Sequence, residues 1–406
     1  MTQWTAAGAF SKDAGTDYEA RCVLGKAGYG IGDVGLVLST LDRIGDDGPQ
    51  AWFDQWSATA QGLADRADAA AASGHRRTAS WAYLAAAQYF ATALGALDGL
   101  ADQSVLTPTF ASQLRCWEGY IDAADGAFVR VDVPYEGTTL PGYLLRPDAS
   151  GASRPTLVVT NGSDGSLPGL VADGGVADAL QRGWNAFVYD GPGQQSMLFQ
   201  RGVPFRPDWE AVLTPVVDTL VARDDVDADA LVAFGISQAG YWLPRALAFE
   251  HRFVAAVADP GVMDVSTSWL QYLPPPMIAL LRSGDKATFN GYLEQMGGDP
   301  DAERTFSFRA RPYGSQSDPF DVFTAVMAYH LRDVVGQITT PFLLTDPEGE
   351  QFWPGQSKDL YDALTGEKQL LGFTERDGAN WHCEPMGRHL TNTQALDWLA
   401  DRLAGR

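Results

Sequence analysis

The chain has little with which to span a membrane, staple a fold or hold a polyanion. None of its apolar runs approaches the roughly 20 residues that a membrane helix needs. Its three cysteines, Cys22, Cys116 and Cys383, are odd in number and far apart, so they make no disulfide framework. The first 30 residues lack a basic start followed by an apolar stretch, so no secretory leader is expected and a reducing cytoplasm is the simplest location. Basic residues are scarce: 29 Lys and Arg stand against 51 Asp and Glu, a formal net charge of −22. Such a surface repels phosphate backbones and anionic lipid, so neither nucleic acid nor a membrane is expected as a partner. Histidine is sparse as well, at five residues. The adjacent pair His382 and Cys383 is poor geometry for one tetrahedral ion, and no other His or Cys completes a set, so neither a metal nor a cofactor is expected.

What is present describes an ordinary globular protein. At 406 residues, with 45% apolar and 20% charged, the chain can bury a large core and carries more than one structural unit. Residues 1–125 read as helical. Alanine is dense there, and Trp52, Trp56 and Leu63, then Tyr83, Ala87 and Phe90, recur at helical spacing as packing faces. The same segment holds Gly30-Ile31-Gly32-Asp33-Val34-Gly35, formally a dinucleotide fingerprint. It lacks the strand before it and the crossover to a second strand, so the cofactor reading is rejected. After Gly126 strand patterns take over. Residues 128–133 and 142–145 form an expected antiparallel pair; 156–160, 184–189, 231–234, 254–258, 342–345 and 369–373 then alternate with helical stretches. That rhythm predicts an α/β fold with a mostly parallel sheet covered on both faces, filling 126–406. Residues 261–317 interrupt it with Pro274-Pro275-Pro276 and scattered aromatics, and read as a lid inserted between two late strands.

One run carries chemistry on its face. Leu231-Val232-Ala233-Phe234 is a buried-strand pattern that breaks into Gly235-Ile236-Ser237-Gln238-Ala239-Gly240 and then into a helix. A serine set between glycines at such a corner sits on a tight turn, its hydroxyl lifted off the sheet edge at a helix N-terminus. The hydroxyl needs a base, and the chain order nucleophile, acid, histidine puts that base at His382, in the loop after the last strand. His75, His251, His330 and His389 are placed less well: in the N-terminal helices, at the end of the helix after Ser237, on a helix after the lid, and at a surface.

The acid belongs in the loop Asp346-Pro347-Glu348-Gly349-Glu350-Gln351-Phe352-Trp353-Pro354. The spacing to Pro354 selects Glu350, with Glu348 as the alternative and Asp346 behind it. Oxyanion donors are expected from the N–H of Gln238 and from the loop Asn161-Gly162-Ser163-Asp164-Gly165-Ser166, through Ser163 or Gly162. Asp164, Tyr241, Trp269 and Trp381 are expected to line the substrate space. The loop Asp190-Gly191-Pro192-Gly193-Gln194 has no lysine and no phosphate-cradle spacing, and reads as a rigid turn beside the site.

Together these pieces resemble the α/β-hydrolase superfamily. With Asp259-Pro260-Gly261, residues 378–383, Gly32-Asp33 and Trp52-Phe53-x-x-Trp56 they resemble the dihydroxypseudooxynicotine hydrolase-like branch, related to fermentation–respiration-switch esterases and to fungal hydrolases that shorten polyketide pigment precursors. The resemblance spans nearly the whole chain. It implies Ser237 as nucleophile, His382 as base, an N-terminal helical cap over the active site, and a homodimer. The branch includes esterases and enzymes that hydrolyse a carbon–carbon bond beside a ketone. The expected function is cleavage or acyl transfer of a ketone, ester or thioester in an apolar, aromatic or polyketide-like small molecule. A non-hydrolytic cyclase or acyltransferase, and a catalytically silent scaffold, remain as alternatives.

Overall fold

The computed structural model describes residues 10–296, 300–314 and 318–405, so residues 297–299 and 315–317 of the expected lid lie outside the described residues. Five helices come first: α1 (Ala14–Lys26), α2 (Val34–Ile44), α3 (Gly48–Ala72), α4 (Arg76–Leu94) and α5 (Leu106–Ala123). Their apolar spacing explains them. Along α3, Trp52, Trp56, Ala60, Leu63, Ala64 and Ala67 are buried, three and four residues apart, so they share one face. Along α4, Ala82, Ala85, Ala86, Tyr89, Phe90 and Ala93 are buried in turn, and the many alanines let the helix axes approach closely. The glycine run at 30–35 follows a one-turn helix (Ala27–Tyr29) and enters α2 at Val34, and among the described residues no strand precedes it.

Among the described residues the chain then forms eight strands: β1 (Phe128–Tyr135), β2 (Thr138–Leu145), β3 (Arg154–Thr160), β4 (Asn185–Tyr189), β5 (Val226–Ile236), β6 (Ala255–Asp259), β7 (Phe342–Pro347) and β8 (Lys368–Phe373). They make one sheet in the order β1-β2-β4-β3-β5-β6-β7-β8. The pairs β1–β2 and β2–β4 are antiparallel, and every pair from β4 to β8 is parallel. Leu157–Val159 of β3 and Leu231–Phe234 of β5 are wholly buried, as continuous apolar runs in the middle of a doubly covered sheet should be. From β3 the chain steps to β4 on one side and then to β5 on the other. The loops after β3 and β5 therefore part from each other and leave a crevice at their carboxyl ends, where α/β sheets bind ligands.

Short helices α6 (Leu170–Asp173), α7 (Val176–Gln181) and α8 (Gln195–Phe199) precede α9 (Glu210–Val221) and α10 (Ala239–Leu247). After β6 come α11 (Thr267–Leu270), α12 (Pro275–Ser283), α13 (Lys286–Met296), α14 (Pro300–Ala310) and α15 (Pro319–Val326), then α16 (Gln356–Ala363) and the C-terminal α17 (Arg388–Ala404). One sheet face shares a continuous core with α1–α5, α7 and α17, joining Trp56, Tyr89 and Trp117 to Leu157, Val159 and Val232. The other face packs on α9, α10 and α16. The expected boundary near residue 125 falls between α5 and β1, and this first core runs across it. Among the described residues no helix is long and apolar enough to cross a membrane. His330, expected on a helix, instead follows α15 and pairs with Asp264 in a lone β-bridge.

Candidate active site

Ser237 occupies the corner between β5 and α10 with φ of +56°, in the left-handed region that costs a side-chain-bearing residue on the order of 1–3 kcal/mol. Backbone bonds on both sides hold it there. The Ser237 N–H donates to Asp259 O at the end of β6 (2.6 Å), and the Gly240 N–H donates to Ser237 O (2.7 Å). The usual second glycine of this turn is Ala239 here, and glycine follows one place later. Its absence of a side chain is required: a Cβ on Gly240 would lie 1.8 Å from Pro260 O. The close crossing of α10 over the loop after β6 thus depends on that glycine.

Three side chains from three sheet ends meet at this corner. His382 Nε2 is 3.0 Å from Ser237 Oγ, and His382 Nδ1 is 2.8 and 3.0 Å from the two oxygens of Glu350. The His382 and Glu350 side chains are only 5% and 6% exposed, so their mutual charge is little screened. Burial acts to raise the Glu350 carboxyl, but the imidazole and the N–H groups of Trp353 (3.1 Å) and Phe352 (2.8 Å) outweigh it and hold the group below the ordinary carboxylate range. Glu350 is therefore ionised whenever the imidazole needs it. The alternatives lie elsewhere. Glu348 is exposed and accepts the Glu375 N–H (3.1 Å), and the half-buried Asp346 carboxyl is pushed up by burial and by Glu350.

The loops bearing Glu350 and His382 are stitched together. Gly349 N–H donates to Asn380 O (2.7 Å), the His382 N–H donates to Gln351 Oε1 (2.9 Å), and Gly349 and Trp381 form a parallel bridge. The rings of Phe352 and Trp353 flank the imidazole, with centroids 4.7 and 5.7 Å away.

The loop after β3 forms the opposite wall. A Cβ on Gly162 would lie 2.7 Å from Ser237 Cβ and 3.2 Å from Ser237 Oγ, so only glycine allows this approach. The Gly162 N–H, expected as an oxyanion donor, is turned to Asn161 Oδ1 (2.9 Å). The N–H groups of Ser163 and Gln238 make no hydrogen bond among the described residues. Gln194 braces this wall from the loop after β4: its Nε2 donates to Asn161 O (2.7 Å) and Gly162 O (3.0 Å), while its Oε1 accepts the Gly191 N–H.

The residues expected to line the substrate space divide. Asp164 is exposed and bonds Arg309 on α14 (2.9 Å). Trp269 packs with Tyr313 and Phe323, and Tyr313 OH donates to the Gln238 side chain (3.3 Å), which joins the lid to the elbow. Tyr241 lines nothing. It is fully buried beneath the elbow and donates to Pro207 O (2.8 Å), because the first turn of α10 aims it into the core below the sheet edge. Trp381 stacks on Tyr18 of α1 (centroids 6.1 Å apart), and Tyr18 OH donates to His382 O (2.8 Å). No sequence signal pairs Tyr18 with a residue 364 positions away. The exposed His389 stacks on Tyr29, away from the corner. The Glu19 carboxyl on α1 is pushed up to about 7, by desolvation first and then by Asp164 of the loop after β3.

No protein-family model matches the sequence. Curated relatives do. The chain is 31% identical over 403 residues to hydrolase LUC6 of Fusarium sp, covering 94% of this chain and 95% of that protein. It is 31% identical over 258 residues to the 20-hydroxy-prefusarin hydrolase FUS2 of Gibberella moniliformis, covering 61% of each. Among solved structures, the 2,6-dihydroxy-pseudo-oxynicotine hydrolase shares the fold, with a TM-score of 0.66 at 21% identity over 87% of this chain and 90% of that one. With this sheet order, and with full-length similarity to a hydrolase, the chain belongs to the α/β-hydrolase family.

Proposed function

We propose that the protein is a serine hydrolase that cleaves, or transfers the acyl group of, a ketone, ester or thioester in an apolar small molecule of aromatic or polyketide-like character. The observation that carries this reading is the unbroken line of hydrogen bonds from Ser237 Oγ through His382 to Glu350, ending on a strained turn. In it, His382 Nε2 takes the Ser237 proton as Oγ attacks the carbonyl carbon, and Glu350 holds the tautomer and balances the imidazolium. The N–H groups of Gln238 and Ser163 receive the oxyanion. Collapse of the tetrahedral intermediate breaks the bond to the leaving group, which takes the proton from His382. Water, deprotonated by His382, then frees the acid and restores the serine.

For an ester the proton goes to an alkoxide oxygen. For a ketone it goes to a carbon whose charge an adjacent carbonyl or ring must spread. The aromatic lid around Trp269, Phe306 and Tyr313 supports an apolar substrate. A fluorophosphonate probe tests the reading. Folded wild type should label and Ser237→Ala should not; unlabelled wild type defeats it. Products from an aryl β-diketone and its matched ester separate the two kinds of cleavage.

A further inference from the structure

Beneath the Ser237–His382 contact lies a cluster of charge that the proposed reaction does not use. Arg388, in the first turn of α17, is 2% exposed, and Asp259 and Glu384 are 0% exposed. Arg388 Nη1 donates to Asp259 Oδ2 (2.6 Å), to Cys383 O (2.7 Å) and to Glu384 Oε2 (3.3 Å). Its Nη2 donates to Asn392 Oδ1 (2.8 Å) and to Asp173 O. Asp259 Oδ1 accepts from Thr345 Oγ1 on β7 (2.7 Å), and its backbone oxygen receives both the Ser237 N–H (2.6 Å) and the Cys383 thiol (3.4 Å).

The cluster thus touches both halves of the site. Through Asp259 it holds the strand that anchors the Ser237 turn. Through Cys383 and Glu384 it holds the two residues after His382, both with positive φ (+56° and +40°). Side-chain-bearing residues keep such a backbone only where the surroundings impose it. The cluster's charge count is also uneven, with two carboxylates and one guanidinium out of water. Glu384 Oε1 meets no N–H or O–H donor among the described residues, and both carboxyls lie against the same nitrogen of Arg388, out of water. Two carboxyls crowded on one buried guanidinium nitrogen favour a proton on one of them.

We propose that Arg388, Asp259 and a protonated Glu384 form a positioning device that keeps the His382 turn and the Ser237 turn in register, and that loss of the Glu384 proton releases it. The inference rests on the reading of Ser237 as nucleophile and His382 as base. Burial first, then Asp259, raises the Glu384 carboxyl well above its usual range, in agreement with that geometry. The other charged groups facing the cluster are Glu350, which adds to the same rise, and Asp173, which sits against Arg388 and is paired with Lys26 of α1 at 2.8 Å. The Cys383 thiol, pushed up by burial, stays neutral. As pH rises, Glu384 loses its proton, two anions compete for one guanidinium, and the strained turn behind His382 loses its support.

The test is the rate of fluorophosphonate labelling against pH, on full-length wild type and Glu384→Gln. Glutamine keeps the neutral, donating shape at every pH. Its labelling rate should lie within about threefold of wild type near neutrality, and it should lack the alkaline fall of wild type. An alkaline limb shared by both proteins overturns the device. Should Glu384→Gln not fold, the infrared spectrum of wild type decides. The Asp190 and Glu19 carboxyls, at about 6 and about 7, have ionised by about pH 8. A neutral-acid carbonyl band that persists there, and disappears together with labelling, supports the device; its absence at that pH overturns it. Wild type that never labels defeats the serine reading and the positioning role that rests on it, and the infrared band at about pH 8 then decides only whether Glu384 is protonated.

Discussion

The two walls around Ser237 are built from opposite materials. Behind His382 the structure uses charge and backbone: Asp259, Glu384 and Arg388 are out of water, and the loops of Glu350 and His382 are tied by main-chain bonds. In front, the helices between β6 and β7 use rings. Phe289 with Phe320 and Phe323 of α15 forms a small core with Met277 and Leu281, while Tyr272 is 81% exposed and Tyr292 50%. Side-chain bonds from Tyr313 to Gln238 and from Arg309 to Asp164, with the backbone bond from Val262 N–H to Gly240 O, tie the lid to the elbow and to the loop after β3. A buried charge network loses much when one member is removed, because the remaining charges are stranded. Aromatic packing spreads its attraction over many small contacts shared by several rings, so one ring can change while the rest stay. The rear wall is suited to holding a geometry and the front wall to fitting a shape.

That contrast breaks or sharpens by substitution. The largest effect is expected at the rear: Glu350→Gln should lower kcat by about 10³–10⁴-fold with little change in KM, because the imidazole loses its charge partner and its fixed tautomer. Glu348→Gln, measured beside it, should stay within about twofold of wild type, and equal losses would refute the assignment of the acid. Gly162→Ala comes next. Its Cβ must displace Ser237, so kcat should fall about 10–100-fold while thermal unfolding stays cooperative. At the front, Trp269→Ala should change KM for a large apolar ester about tenfold and leave labelling by a small fluorophosphonate near the wild-type rate. A parallel loss of labelling would show that the lid also sets the catalytic geometry.

Tyr18→Phe removes one hydrogen bond from the carbonyl of His382 and should cost about two- to tenfold in kcat. The smallest effect concerns acid stability. The folded-state carboxyl of Glu350 is depressed below the ordinary value of 4.5, so its contribution is complete above that pH and disappears as pH falls through the folded value. Glu350→Gln should therefore unfold with a shallower dependence on pH below about 4.5 in denaturant titrations.

Much of this site could be read along the chain because its signals are local. A buried apolar run followed by Gly235-Ile236-Ser237-Gln238-Ala239-Gly240 prescribes a strand, a tight turn and a helix from neighbouring residues alone. Strand order along the chain places an acid loop before a histidine loop, and proline spacing pointed to Glu350, the carboxylate that meets the imidazole. Where the readings failed, direction was at fault: Tyr241 points into the core, and the Gly162 N–H turns to its neighbour's side chain. One turn of backbone decides such orientations, and composition does not record it.

What the chain determined by itself is the kind of protein: a doubly covered, mostly parallel sheet with a serine at the end of a central strand, because burial and turn chemistry are properties of short stretches. Only the tertiary structure decided which distant groups support that serine. Tyr18 reaches the His382 carbonyl from the first helix, and Arg388 reaches Asp259 from the last. Those contacts follow from the closing of the sheet and its helices around one core, which brings together side chains that no spacing along the sequence relates.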